Sequence, residues 1–318
     1  MVSVMKNILN RGLIAISKIM PAHLVGHWLF LLRQHPQITD RWGYHVRPIH
    51  YYEPLPDFHH ITPEQITRKR EYLGIDFNIK GQVELFEHLG KAYKHEIDEL
   101  ASEKSSEGFN FQNDYFAGID AALYYSLIRY LKPKQIIEIG SGYSTRIAAK
   151  AVGQNMNEGT RGYLACIEPY PQPRLLEANL PIELVQKKVE DVSSDFFSRL
   201  SSNDILFIDS SHVARFGSDV CYEILEILPK LPKGVWIHIH DIFFPHDYPV
   251  DWLINKRIAF NEQYLLEAFL SFNNSFKVKA ANYWLSLYHS DVVDWLYPLS
   301  KSKDEHLGRG SFWMCKID

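Results

Sequence analysis

From residue 135 onward the chain alternates short apolar runs with stretches of helical period, an order that few folds accept. Strands are expected at 135–139, 162–167, 182–187, 204–208 and 235–240. Helices are expected between them at 145–152, 173–179, 194–200 and 217–228. A further helix at 115–130 precedes the first strand and stops before Pro133, which cannot continue it. After a helix at 262–272, strands at 276–280 and 312–317 extend the sheet. Such short, continuous apolar runs suit strands buried on both faces. The expected fold class is α/β: a doubly wound, mostly parallel, Rossmann-like seven-stranded sheet with helices on both faces.

Length and charge narrow the reading further. The 318 residues, 46% of them hydrophobic, form a folded chain of one elaborated domain or two small ones. The alternation occupies residues 111–318, and residues 1–110 form a helical and extended-loop front piece whose role as lid, dimer arm or docking surface stays open. A net charge of -4 argues against a nucleic-acid partner, which needs a basic surplus on one surface. Three widely spaced cysteines, Cys166, Cys221 and Cys315, make no metal pair and fit a reducing, cytoplasmic setting. The segment 13–32 is broken by Lys18, Pro21, His23 and His27, too polar for a span. Leu24, Trp28, Leu31 and Leu32 recur at helical spacing behind Pro21, so a helix packed on its own protein is favoured over one lying on a membrane surface.

Open sheets of this kind bind ligands at the carboxyl ends of their strands. The first expected strand ends in Glu138-Ile139-Gly140-Ser141-Gly142-Tyr143-Ser144-Thr145 and runs into a helix. Two glycines there let the backbone turn sharply and approach a ligand. A dinucleotide fingerprint would place a third glycine at Thr145, and the Glu138 carboxylate would repel a pyrophosphate while suiting a cationic amino-acid end. Glu168 ends the second strand, where a carboxylate can accept from ribose hydroxyls, and Glu190-Asp191 follow the third, placed to edge an adenine.

These residues carry a resemblance. The run from Ile137 to Thr145, with Asp204-Ile205-Leu206-Phe207-Ile208-Asp209-Ser210-Ser211-His212, resembles the class I S-adenosylmethionine-dependent methyltransferases, and within them the metal-dependent small-molecule and sugar O-methyltransferases. The resemblance implies S-adenosyl-L-methionine as cofactor, with Gly140, Ser141, Gly142 and Ser144 around its methionine end, Glu168 on the ribose and Glu190 or Asp191 on the adenine. It implies a small-molecule or saccharide acceptor, His212 as general base beside Asp209, and an antiparallel final strand at 312–317. It also implies a divalent metal, Mg or Mn, on Asp209, His240 and Asp241. His240 departs from the pattern, because an oxygen ligand is usual there and imidazole suits softer metals than Mg²⁺. A homo-oligomer is compatible with this reading. Its rivals are an NAD(P)-dependent oxidoreductase on the same sheet and a non-catalytic module that keeps the fold. His238, two residues before His240 on the same strand face, is expected to be a buried, satisfied histidine.

Overall fold

A computed structural model of the chain describes residues 20–102, 109–172, 181–298 and 307–318. The expected helix at 173–179 and Lys18 lie outside the described residues. The chain divides into two compact units, Met1–His60 and Ile61–Asp318. In the first, Pro21 precedes helix α1 (Ala22–Gln34), and the proline-rich run that follows is extended loop and turn. Leu24, Trp28 and Leu31 of α1 are exposed and only Leu32 is buried, so the expected self-packed helix is not found. Among the described residues no helix is long and apolar enough to cross a membrane.

The second unit carries a seven-stranded sheet in the order β3-β2-β1-β4-β5-β7-β6. Its strands are β1 (Gln135–Ile139), β2 (Tyr163–Ile167), β3 (Ile182–Val185), β4 (Ile205–Ile208), β5 (Trp236–Ile239), β6 (Phe276–Ala281) and β7 (Phe312–Lys316). The pairs β1–β2, β1–β4, β2–β3 and β4–β5 are parallel, and β7 runs antiparallel between β5 and β6, as the sequence led us to expect. Strand order reverses between β2 and β4 around β1, and this switch point opens a crevice at the strands' carboxyl ends.

Alternation along each strand separates two cores. Ile136, Leu164, Cys166 and Phe207 pack against helices α2 (Ile79–Ser102), α3 (Gly118–Leu131) and α4 (Tyr143–Asn157). Ile137, Ile139, Leu206 and Ile208 face the other way, onto Ile224, Ile227 and Leu266, the last on α5 (Glu262–Leu270). Period two makes this division inevitable once both faces are covered. The unit begins at Ile61 rather than near residue 110, because Phe86, Leu89 and Ile97 of α2 bury themselves in the first core. The expected helix at 217–228 is found over 219–230, α-helical at Asp219–Tyr222, widening into a π-turn over Glu223–Ile227 and closing as 3-10 at Leu228–Lys230.

Candidate active site

Where β1 stops, Gly140 takes φ +88°, and a Cβ there would lie 2.2 Å from the Asp209 carbonyl oxygen. Only glycine fits that approach. The backbone threads on, with Gly140 N donating to Ile167 O at 3.0 Å and Asp209 N to Ile139 O at 2.9 Å. Gly142 N donates to the Thr145 hydroxyl at 3.0 Å, so Thr145 closes the first turn of α4 where a dinucleotide site would need glycine. A Cβ on Gly142 would meet nothing within 4 Å.

The ends of β1, β2 and β4 enclose a cleft of about 380 Å³. Gly140, Glu168, Glu190 and Asp209 line it. Tyr170, Lys188, Ser210, Arg215 and Asp219 line it too, and sequence reasoning passed over them. Ser210 lies inside the Asp204–His212 motif; Arg215 sits in a loop with no periodic signal, and Asp219 opens the helical turn Asp219–Tyr222 within the helix expected at 217–228. The Ser141 hydroxyl lies 3.4 Å from the Glu168 carboxylate, whose other oxygen accepts from Tyr170 N at 2.8 Å.

Five expected cofactor residues, Glu138, Ser141, Gly142, Ser144 and Asp191, are not on the cleft lining. Asp191 is exposed on a short 3-10 turn, Val189–Asp191, and Ser144 is buried in the first turn of α4. Glu138 shares the strand face of Ile136 and so enters the first core. It accepts a hydrogen bond from Tyr124 Oη at 3.0 Å and lies 3.5 Å from Cys166 Sγ. Burial pushes its carboxyl up to about 7, against the pull of Thr145, Tyr124 and Cys166.

Beyond the cleft, a titratable cluster gathers at the ends of β4 and β5. His212, at φ +60°, sets Nε2 3.3 Å from Asp209 Oδ1 and 3.6 Å from Asp241 Oδ2, and Nδ1 2.9 Å from Glu262 Oε2. His240 sets Nδ1 3.5 Å from Asp209 and 3.5 Å from Asp241, and Nε2 3.5 Å from Asp120. Asp120 also accepts from Asn282 Nδ2, Gly310 N and Ser311 N at 2.7–3.0 Å. Burial works against charge on both imidazoles, yet the surrounding carboxylates hold His212 and His240 well above the ordinary histidine range. Burial would likewise lift Asp209, but His240 and His212 hold it below the usual carboxylate range. Asp120 and Glu262 were missing from the sequence reading, because each reaches the cluster from a helix distant in sequence.

Asp209, His240 and Asp241 do come together, but the surrounding carboxylates favour the charged form of both imidazoles, and a ring in that form has no free lone pair for a metal. Among the described residues no group of three or more His, Cys, Asp or Glu side chains is arranged to hold a metal ion. The cluster is a set of ion pairs, and a metal does not fit it as it stands. His238 is buried, with Nε2 2.7 Å from Ser311 Oγ and its ring stacked 3.9 Å from Phe207.

Residues 137–242 match a family described as a methyltransferase domain. Over 168 residues the chain is 33% identical to an uncharacterized protein of Archaeoglobus fulgidus, a stretch covering 50% of this chain and 75% of that one. Among solved structures, an apo form of CmcI is similar at 17% identity over 63% of this chain and 71% of that one, with a TM-score of 0.37. An O-methyltransferase from Bacillus cereus in complex with SAH is similar at 12% identity over 76% of this chain and 100% of that one, with a TM-score of 0.36. Both likenesses are loose in sequence and in superposition, and no chemistry is transferred from them.

Proposed function

We propose, from the premise that the chain belongs to the class I S-adenosylmethionine-dependent methyltransferases, that it methylates a hydroxyl of a small molecule, saccharides included, with His212 as the base. One observation carries this reading: the His212 imidazole presents Nε2 3.3 Å from Asp209, and Asp209 lines the cleft. The cofactor fits what is present. A cleft of about 380 Å³ lies within the size of ligand pockets, and Gly140 brings bare backbone to its floor. Glu168, at the end of β2, offers a carboxylate to ribose hydroxyls, and Glu190 lies on the same lining.

When bound, the cofactor supplies an electrophilic sulfonium methyl group. The chain's own share is then to align an acceptor and take its proton. A hydroxyl is a weak nucleophile near neutral pH, so its proton must be removed as the new bond forms. The contact from His212 Nε2 to Asp209 is loose for a hydrogen bond, so an acceptor hydroxyl can replace it. Asp209 and Asp241 flank that position and stabilise the imidazolium that results. Ile242, Phe243, Phe244 and Tyr248 are buried, so the segment that leaves Asp241 after β5 has a fixed shape.

Calorimetry with S-adenosylmethionine and S-adenosylhomocysteine tests the cofactor half. Both should bind, and Glu168→Ala should weaken binding at least tenfold; undiminished affinity removes Glu168 from the site. His212→Ala should keep cofactor affinity and lose about 10²–10⁴-fold in turnover against hydroxyl-bearing acceptors, the usual worth of a general base. Unchanged turnover removes His212 from that role.

A further inference from the structure

We propose that Glu262 is the positioning residue for His212, fixing the proton on Nδ1 and turning Nε2 toward the cleft. The inference rests on His212 acting as base. Glu262 is the first residue of α5, stands fifty positions from His212, and is 1% exposed. Its Oε2 lies 2.9 Å from His212 Nδ1. A carboxylate accepts and does not donate, so Nδ1 carries a proton toward Glu262 at 2.9 Å. The Nε2 contacts with Asp209 and Asp241 are longer, at 3.3 and 3.6 Å, so Nε2 is the position that gives up its proton when the ring becomes neutral.

The hold extends beyond the side chain. The His212 carbonyl accepts from Asn261 N at 3.0 Å and from Glu262 N at 3.2 Å. Asn261 also clasps the next turn, accepting from Ala214 N at 2.6 Å and donating to Ala214 O at 3.3 Å. Phe260 sets its ring 4.7 Å from the imidazole. One short segment, 260–262, therefore fixes the left-handed backbone, the ring plane and the tautomer of His212 together.

A second buried carboxyl stands behind the first. Glu223 is fully buried on the π-turn, and its Oε2 accepts from the Ser210 hydroxyl at 3.0 Å. Ser210 lines the cleft. Glu223 Oε1 and Glu262 Oε1 are both buried without a partner. Burial and the charge of Glu262 both push the Glu223 carboxyl well above its ordinary range. Burial raises the Glu262 carboxyl too, but its contact with His212 pulls it back, which favours the negative charge on Glu262, facing the imidazole.

The full chain is compared with Glu262→Gln and Glu262→Asp by steady-state kinetics and by ¹⁵N NMR of labelled histidine at alkaline pH. In the wild type, the neutral His212 ring should be protonated on Nδ1. An amide that donates to Nδ1 moves the proton to Nε2, so Glu262→Gln should show the opposite tautomer. Its kcat should fall about 10²–10⁴-fold, as when the carboxylate of a catalytic triad becomes an amide, with KM for the cofactor unchanged. Glu262→Asp should recover part of the loss. Turnover lost in His212→Ala but kept in Glu262→Gln overturns the inference alone. Turnover kept in His212→Ala overturns the base reading and the inference with it. Should Glu262→Gln not fold, a wild-type ring protonated on Nε2 still overturns the inference.

Discussion

Glu138→Gln isolates the cost of burying an ionisable group in the first core. Glu138 is 0% exposed, and its carboxyl is pushed from 4.5 up to about 7. Each pK unit corresponds to about 1.4 kcal/mol, so ionising this group in the folded chain forfeits about 3 kcal/mol. The folded state binds its proton more tightly than the unfolded one. That contribution is present in full below pH 4.5 and is lost as pH rises to about 7. Glutamine keeps an acceptor for Tyr124 and never ionises. In urea unfolding the two proteins should therefore be similarly stable at pH 4.5, and the variant should lead by about 3 kcal/mol at pH 8.5. Parallel pH profiles, or a variant equally weakened at both pH values, would refute the assignment of Glu138 to the core.

The close approach at Gly140 predicts that Gly140→Ala displaces the end of β4. It should weaken cofactor binding at least tenfold by calorimetry, with about 1–3 kcal/mol lost from strained backbone. Gly142→Ala meets no protein atom within 4 Å, so its urea midpoint should match the wild type; a lower midpoint would show that the turn itself needs that glycine. Asp204 accepts from Lys134 N, Gln135 N, Ser201 N and Ser201 Oγ at 2.8–2.9 Å, so Asp204→Ala should cost about 3 kcal/mol or more in unfolding. A base must be unprotonated to act and His212 is held above its ordinary range, so kcat should rise as pH climbs past neutrality; a profile already flat at pH 6 would contradict this. Because the Asp209–His240–Asp241 cluster is ion-paired, dialysis against a chelator should leave turnover within twofold; loss restored by Mg²⁺ or Mn²⁺ would overturn the ion-pair reading.

The sheet was legible because its signal is local. Seven apolar runs of four to six residues have one stable arrangement when helices alternate with them, and β1 and β7 fall where the pattern puts them. Other readings failed where a local pattern has more than one tertiary outcome. The charged, serine-rich stretch at 99–108 looks like a boundary, yet Phe86, Leu89 and Ile97 keep the spacing of a buried stripe and draw α2 into the sheet's core. Period two assigns Glu138 to the face of Ile136, but that face becomes a low-dielectric core only through Tyr124 and Cys166, which other elements supply.

The candidate base shows the same limit more sharply. Asp209 and His212 are three residues apart and readable as a pair, whereas Glu262 and Asp120 reach the cluster from the first turns of two distant helices. An acid in a first helical turn is expected on electrostatic grounds alone, since it complements the helix dipole. Its sequence context therefore looks the same whether it faces water or an imidazole. The tautomer and basicity of His212 are set by that difference, through one contact of 2.9 Å that sheet topology creates. A motif can thus mark where a base stands, while the proton it holds is decided by residues whose local sequence has no reason to look catalytic.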